Sequence, residues 1–225
     1  VARISELGPD QNIKLRLRRG GVESDVTAKL LAHPGDEEIL RRDKVGTFAP
    51  DWGQLTSTSG VLPASITALR GRVAIVDFWA SWCGPCKLVS PTLSSLQDKY
   101  GAQGLTVVGI ANDPPDVGAR AAQGLGVRYA TGVEKAGEAS SAYGVRAIPT
   151  MFVIDKKGTI REVLIGFHPS HAEALEKLVQ QLLAEPAQPA SPTPPREPKS
   201  PAVPKVPTPP KDPVAPRAPR APRAP

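Results

Sequence analysis

The chain reads Val73-Ala74-Ile75-Val76-Asp77-Phe78-Trp79-Ala80-Ser81-Trp82-Cys83-Gly84-Pro85-Cys86 near its middle. The first eight residues form an almost continuous apolar run rich in β-branched side chains, which predicts a strand covered on both faces of a sheet. After the cysteines, apolar residues recur at the spacing of one helical face: Val89, Leu93, Leu96 and Tyr100. The two cysteines therefore lie where a buried strand turns into a helix.

This position gives the cysteine pair a specific chemistry. At a helix N-terminus, unpaired amides and the helix dipole stabilise an anion, so we expect the Cys83 thiolate to form more readily than that of a free cysteine. Cys86, one turn later, can attack a mixed disulfide at Cys83 and release the product. Gly84 and Pro85 add neither bulk nor charge over the sulfurs. The pair is therefore predicted to carry out thiol–disulfide exchange, with Cys83 as the nucleophile.

Three other interpretations of the pair stay open. A structural disulfide across two intervening residues would close too short a loop to stabilise a fold appreciably. A zinc site would need two more ligands, and the candidates His33, His168 and His171 stand far away at poor spacing. The third is a pair of inert buried thiols, which the strand-to-helix junction and the flanking Trp82 disfavour. No metal site is predicted.

Asp77 is the one acidic residue in the apolar run, six residues before Cys83. A carboxylate within an apolar strand is hard to ionise, so its pKa is expected to rise towards the range in which it accepts a proton from Cys86. A hydrogen-bonded structural aspartate or an edge position is the alternative. Asp77 is therefore the third candidate catalytic residue.

Downstream of the cysteines, strand-like and helix-like segments alternate. Four strands are predicted there: residues 105–110, a short strand near Val127, residues 151–154 and residues 159–165. A final helix follows, and Ser170 and Glu173 fit a capping box at its start. This alternation predicts an α/β domain that ends in two antiparallel strands.

The ten residues from Phe78 to Lys87 resemble the active-site signature of the thioredoxin superfamily. Ile148-Pro149-Thr150 supplies the second signature of that family, in which the proline is cis and lies beside the cysteines. The resemblance implies a thioredoxin fold, a central mixed β-sheet flanked by helices. It also implies a set of residues that contact the substrate: Trp82, Gly84, Pro85, Ile148 and Pro149.

Three further segments are similar to the TlpA/ResA-like branch: Ala142-Tyr143-Gly144-Val145, Phe152-Val153-Ile154-Asp155 and Lys157-Gly158-Thr159-Ile160-Arg161. The likeness covers about residues 45–184 and implies a reductase of protein disulfides, kept reduced by an electron donor, in the bacterial envelope or periplasm. It implies no cofactor beyond the Cys83–Cys86 disulfide. Gly-Pro between the cysteines is also the dipeptide of cytosolic thioredoxins, so the cytoplasm is the alternative compartment. The basic residue that accompanies the buried acid in thioredoxin has no counterpart near Ala111-Asn112-Asp113.

The ends of the chain differ from its centre. Residues 12–18 alternate apolar and polar side chains, and the alternation resumes after Gly20-Gly21, which predicts a β-hairpin of half-buried strands. Residues 1–32 resemble the closing part of a PDZ domain. Residues 33–62 are interpreted as a linker and entry segment, and residues 63–185 as the thioredoxin-like domain. Residues 186–225 contain 16 prolines and no apolar periodicity, which predicts a disordered tail.

Most of the net charge belongs to this tail. Its seven Lys and Arg against two Asp and Glu give +5 of the formal +6, which leaves the remaining 185 residues near +1. The folded part lacks the interleaved basic and aromatic residues typical of nucleic-acid binding, and no apolar run reaches the roughly 18–20 residues of a membrane span. Nucleic acid is therefore not predicted as a partner. The tail is interpreted as a spacer, or as a docking segment for envelope or partner domains.

Two other functions stay open. A peroxiredoxin-like peroxidase would need its peroxidatic cysteine in a Thr-x-x-Cys setting, whereas Cys83 follows Ala80-Ser81-Trp82. A scaffold or interaction protein would use the PDZ-like segment and the proline-rich tail. Only the scaffold would keep its biological effect after a Cys83→Ser substitution.

Overall fold

The computed structural model describes residues 7–32 and 34–186. The helices in these ranges are α1 (Asp36–Lys44), α2 (Gly84–Tyr100), α3 (Pro115–Gly124), α4 (Glu138–Tyr143) and α5 (Pro169–Ala184). The strands are β1 (Asn12–Arg19), β2 (Val22–Lys29), β3 (Leu55–Ser59), β4 (Val73–Trp79), β5 (Leu105–Ala111), β6 (Ala130–Glu134), β7 (Thr150–Ile154) and β8 (Ile160–Ile165).

Strands β3 to β8 form one six-stranded sheet in the order β3-β6-β5-β4-β7-β8. β4, β5 and β6 are parallel neighbours, whereas β3, β7 and β8 run antiparallel to the strands beside them. Every residue of β4 is buried, as expected for a central strand with both faces covered. The predicted fold class, a central mixed sheet flanked by helices as in thioredoxins, is confirmed.

Successive side chains of β4 point to opposite faces of the sheet. Val73 and Ile75 pack in one apolar cluster with residues of α2 and α5. Val76 and Phe78 pack in a second cluster that includes residues of α1 and α4. By the same alternation, Asp77 lies on the face covered by α2.

Two predicted details are wrong. The strand placed near Val127 begins later, as β6, because Gly126 adopts a φ of +62° and makes a turn between α3 and the strand. The capping box of Ser170 and Glu173 is not formed, since Ser170 already lies inside α5. His168 is the N-cap instead, and its Nδ1 accepts from the backbone N–H of Ser170 (3.3 Å). Pro169 occupies the first turn, where its missing N–H is tolerated.

The predicted linker and entry segment, residues 33–62, contains α1 and β3. β3 pairs with β6 at the edge of the main sheet, and Trp52 is 1% exposed within the core. The Arg41 guanidinium ties α1 to β8 through hydrogen bonds to both carboxylate oxygens of Glu162 (2.7 and 2.5 Å). We therefore propose that the folded domain begins near Asp36 rather than at residue 63. The other domain boundaries stay predictions.

Strands β1 and β2 pair as the predicted hairpin. Ile13 and Leu15 are partly buried as predicted, but the apolar side chains further along the hairpin are exposed, because a two-stranded ribbon has no second layer of its own to cover them. Leu17, Val22 and Val26 are 49%, 70% and 41% exposed. The PDZ resemblance of residues 1–32 is not shown and stays a prediction, and residues 1–6 lie outside the described residues.

The predicted disordered tail, residues 186–225, lies outside the described residues except for Pro186. None of the helices that the structure describes is long and apolar enough to cross a membrane.

Gly132 in β6 lies where the edge strand β3 approaches closely. A Cβ atom there would come within 2.5 Å of Leu62 Cδ1 and 3.1 Å of the Thr56 carbonyl oxygen. We expect Gly132→Ala to lower the free energy of unfolding by about 1–3 kcal/mol, because the neighbouring segments must move. Gly124→Ala at the end of α3 is the control, since nothing lies within 4 Å of its Cβ position. Equal urea midpoints for the two variants would contradict this packing.

Candidate active site

The cysteines lie where predicted, at the junction between β4 and α2. Cys83 is the N-cap of α2, and the backbone N–H of Cys86 donates to its Sγ (3.2 Å). The two sulfurs form a disulfide, and the Cα atoms are 5.3 Å apart. The structure therefore brings both sulfurs of the predicted dithiol together at the start of the helix.

The first turn of α2 favours an anion at Cys83. No acidic residue lies in this turn, and its free amides carry the positive partial charge of the helix N-terminus. Pro85 has no backbone N–H. This costs the helix no hydrogen bond, because an N–H in the first turn has no partner within the helix. The Cys86 amide that already points at Sγ can stabilise a thiolate there.

The cysteines are nearly covered, and the residues around them are exposed. Cys83 and Cys86 are 3% and 1% exposed, whereas Trp82 is 72% exposed. Gly84 and Pro85 also lie at the surface. Trp82 is thus an exposed aromatic side chain directly next to the buried cysteine pair.

The second signature lies beside the cysteines. The peptide bond between Ile148 and Pro149 is cis, as the resemblance implies. Ile148 packs against the cluster that contains Trp79 and both cysteines. The Pro149 carbonyl accepts from the backbone N–H of Gly166 (2.8 Å), which holds the loop at the end of β8. Distant parts of the sequence thus meet at one end of β4.

Asp77 is 2% exposed, and its Oδ1 atom has no hydrogen-bond partner. Burial raises the pKa of Asp77 from 3.8 to about 7, and the Tyr129 hydroxyl lowers it by a smaller amount. Along β4, Asp77 is followed on the same face by Trp79, which packs in one cluster with both cysteines. A carboxyl that titrates near neutral pH therefore lies on the same face of the sheet as the cysteine pair.

Two polar residues of the site were missed in the sequence. Asp113 accepts hydrogen bonds from the backbone N–H (2.8 Å) and the hydroxyl (2.7 Å) of Ser81, and so fixes the turn that leads into Cys83. Tyr129, before β6, is 4% exposed and lies close enough to Asp77 to affect its pKa. Asp113 follows the carboxyl end of a parallel strand, where sites form in such sheets, and this position could have predicted its role. No sequence pattern around Tyr129 indicates a place in the site.

The described residues contain no group of three or more His, Cys, Asp or Glu side chains that could hold a metal ion. His168 and His171 lie together at the start of α5, with ring centroids 5.6 Å apart, and His33 lies outside the described residues. The zinc alternative has no ligand set within this part of the chain.

The folded part of the chain is similar to several known proteins. A sequence model of the AhpC/TSA family matches residues 45–163. The thiol-disulfide oxidoreductase ResA of Geobacillus thermodenitrificans is 29% identical over 123 residues, which cover 54% of this chain and 70% of that protein. Thioredoxin of Coprinus comatus is 33% identical over 114 residues, which cover 51% of this chain and 84% of that protein. A thiol:disulfide interchange protein of the thioredoxin family from Chlorobium tepidum has a crystal structure that matches with a TM-score of 0.54 and 28% identity, over 61% of this chain and 97% of that one.

The match to the AhpC/TSA family spans more than half of the chain. The fold, the Cys83–Cys86 pair at the start of a helix and the cis proline beside it agree with that match. The chain therefore belongs to the AhpC/TSA family of thioredoxin-like proteins, in which it is a thiol–disulfide oxidoreductase.

Proposed function

We propose that this chain reduces disulfides in other proteins, with Cys83, Cys86 and Asp77 as its catalytic residues. The observation that supports this most directly is the placement of the cysteine pair at the start of α2, against the Ile148–Pro149 loop and beside the exposed Trp82. A nucleophilic sulfur, a surface for a polypeptide and a buried proton acceptor are the three parts that the reaction needs.

The reaction begins with the reduced pair. The Cys83 thiolate attacks one sulfur of the target disulfide, the target S–S bond breaks, and the released target thiolate takes a proton from solvent. Asp77 then accepts the proton of the Cys86 thiol, and the Cys86 thiolate attacks the Cys83 sulfur. The second target thiolate leaves and is protonated. Two electrons have moved to the target, and the Cys83–Cys86 disulfide seen in the structure remains.

Five residues are proposed to contact the substrate: Trp82, Gly84, Pro85, Ile148 and Pro149. Trp82 offers apolar surface, and Gly84 and Pro85 leave the approach to the sulfur open. The resemblance supports main-chain pairing between Ile148 and an extended substrate segment, and Ile148 packs against the cluster that contains both cysteines.

Turnover requires an external electron donor that reopens the Cys83–Cys86 disulfide. The family resemblance supports the bacterial envelope or periplasm as the compartment, with the cytoplasm as the alternative. Residues 186–225 are proposed as a basic, proline-rich spacer that contacts envelope or partner domains.

The reduction potential of the Cys83–Cys86 pair is the first test. We expect a value near the roughly −270 mV of thioredoxin in thiol redox buffers, together with cleavage of insulin disulfides by the reduced chain. A value near the about −120 mV of strong oxidants would contradict the reductive direction. Rapid consumption of hydrogen peroxide without insulin cleavage would favour the peroxidase instead.

Cys86→Ser should trap the first intermediate. The variant keeps the nucleophile and loses the thiol that resolves the mixed disulfide, so we expect a covalent adduct with a disulfide-bonded target on non-reducing gels. Cys83→Ser is the matched control and should give no adduct, because Cys86 lies inside the first turn of α2 and lacks the N-cap position of Cys83. Equal adducts in both variants would contradict the assigned roles. A full biological effect of Cys83→Ser would favour the scaffold function.

Asp77→Asn should stabilise the fold. The pKa of Asp77 in the folded state, about 7, lies above its ordinary 3.8, so the stability that this group contributes is present below about pH 4 and is lost as the pH rises through 7. Above pH 7 we expect the free energy of unfolding of the variant to exceed that of the wild type by about 2–4 kcal/mol. We also expect the variant to resolve mixed disulfides about 100-fold more slowly than the wild type. Urea unfolding at several pH values measures the first effect, and the two proteins should converge towards pH 4.

Glu134→Gln provides the control for that substitution. Glu134 is 6% exposed, but its carboxylate accepts hydrogen bonds from the Ser140 backbone (2.8 Å) and hydroxyl. Neutralising this hydrogen-bonded carboxylate should not stabilise the fold. A similar gain in both variants would argue against a special environment at Asp77.

A further inference from the structure

Asp113 ties the chain that leaves β5 to the chain that leaves β4. Its carboxylate accepts hydrogen bonds from the backbone N–H (2.8 Å) and the hydroxyl (2.7 Å) of Ser81. One residue earlier, the backbone N–H of Asn112 donates to the Trp79 carbonyl (3.3 Å). The side chain of Asp113 therefore continues the connection between the two strands beyond the point where their pairing ends.

Ser81 belongs to a β-turn that ends at the nucleophile. The backbone N–H of Cys83 donates to the Ala80 carbonyl (3.1 Å), so Ser81 and Trp82 are the two central residues of the turn. Cys83 is also the N-cap of α2, and its Sγ accepts from the backbone N–H of Cys86 (3.2 Å). A displacement of Ser81 would therefore move the turn, and with it the sulfur, away from the start of the helix.

Asp113 is itself held firmly. Two prolines follow it, and a residue before a proline is restricted to extended backbone conformations. The second of them, Pro115, is the first residue of α3. A Cβ atom on Gly118 of that helix would be in van der Waals contact with the Cβ atom of Asp113 (3.8 Å). The carboxylate is thus anchored on its own side and can hold Ser81 in place.

Few other polar groups surround this turn. Among the described residues, the Ser81 side chain has no hydrogen-bond partner besides Asp113. The other ionisable side chains on the elements that carry Cys83 are those of Cys86 and the exposed Lys87 on α2 and of Asp77 on β4. Cys83 packs in one cluster with apolar residues from α3, β6 and the loop before β7: Ala122, Val133 and Ile148.

We infer that Asp113 is a positioning residue for thiol–disulfide exchange, which holds Ser81 so that Cys83 stays at the N-cap of α2. There the helix amides stabilise the thiolate that attacks the target. Asp113 acts through the backbone of the turn, and no bond forms or breaks at its carboxylate. The inference rests on the proposed function in one respect, the role of Cys83 as the nucleophile.

Loss of the carboxylate should make the Cys83 thiolate harder to form. Asp113→Ala removes both acceptors of Ser81, so the sulfur lies at the N-cap for less of the time and the thiolate needs a higher pH. The lost negative charge acts in the opposite direction, because a nearby carboxylate disfavours a thiolate. A rise in the titration midpoint of Cys83 therefore reports the position of the sulfur and not the charge of Asp113.

Asp113→Asn is the conservative variant. Its amide oxygen can accept from the backbone N–H of Ser81, and its amide nitrogen can donate to the Ser81 hydroxyl. The turn then keeps both contacts while the charge is gone. We expect the titration midpoint of Cys83 in this variant to equal that of the wild type or to lie below it.

Glu134→Ala is the matched control. The Glu134 carboxylate is 6% exposed and accepts from the backbone N–H (2.8 Å) and the hydroxyl of Ser140, the same two contacts that Asp113 makes with Ser81. This contact ties β6 to α4 instead of holding the cysteine turn. A general loosening of the fold would therefore affect both alanine variants alike.

The test follows the alkylation of Cys83 by iodoacetamide as a function of pH in the full chain. All variants carry Cys86→Ser, because the chain has two cysteines and Cys83 is then the one thiol. We expect the midpoint to rise by about half a pH unit in Asp113→Ala and not to rise in Asp113→Asn or Glu134→Ala. Urea unfolding confirms that each variant is folded.

An unmoved or lowered midpoint in Asp113→Ala overturns the inference, as does an equal rise in Asp113→Asn or in Glu134→Ala. If Asp113→Ala does not fold, Ser81→Ala decides instead, with Ser140→Ala as its control. Ser81→Ala removes one of the two hydrogen bonds and should give a smaller rise in the midpoint, whereas Ser140→Ala should give none.

Failure of the proposed function gives a different result. The alkylation midpoint is measured without a disulfide target, so it does not depend on whether the chain reduces proteins. A wild-type chain that does not cleave insulin disulfides overturns the proposed function and leaves the midpoints as they are. Normal cleavage of insulin with an unmoved midpoint in Asp113→Ala overturns the role of Asp113 alone.

Discussion

The burial of Asp77 in the central strand is the constraint on which the rest of the site depends. A carboxyl that is 2% exposed with an unpartnered oxygen destabilises the fold once it ionises. Only a strand that is held firmly on both sides and both faces tolerates such a group. β4 has hydrogen-bonded neighbours in β5 and β7 and is buried along its whole length. The sheet therefore offsets the unfavourable burial of Asp77, the proposed proton acceptor.

The two strands beside β4 each bring one part of the site to its end. The chain leaving β5 brings Asp113, which fixes Ser81 and with it the entry into the helix at Cys83. The loop before β7 brings Ile148 against the cluster that contains both cysteines. Since sites in such sheets form where the carboxyl ends of parallel strands meet, the cysteine turn lies where both neighbours can support it. The geometry of the pair is thus set by strand order as much as by the motif itself.

The parts of this site that were predicted are those that local sequence encodes. β4, the helix after Cys83 and the burial of Asp77 follow from one apolar run and its helical continuation, and the proline signature placed Pro149. Contacts between distant segments produce no periodicity or motif in the sequence. Asp113 and Tyr129 act through single side chains that cross from one element to another, and β3 joins the sheet through an edge pairing that its polar sequence, Leu-Thr-Ser-Thr-Ser, does not indicate. The predicted cap of α5 is wrong by two residues, because Pro169 allows the helix to begin directly after His168.

A neutral hydroxyl and a cation would tune the buried acid differently. An opposite charge within about 4–6 Å lowers the pKa of a carboxyl by roughly 1–3 units and keeps it ionised at neutral pH. At Asp77 burial dominates, the neutral Tyr129 lowers the pKa by a smaller amount, and the pKa of Asp77 stays at about 7. Near neutral pH such a carboxyl exists in both forms, so it can accept the proton of Cys86 when a target is reduced and return it when a donor reopens the disulfide. A permanently ionised carboxylate would be a weaker base for the proposed proton transfer from Cys86, and at neutral pH it would hold no proton to return.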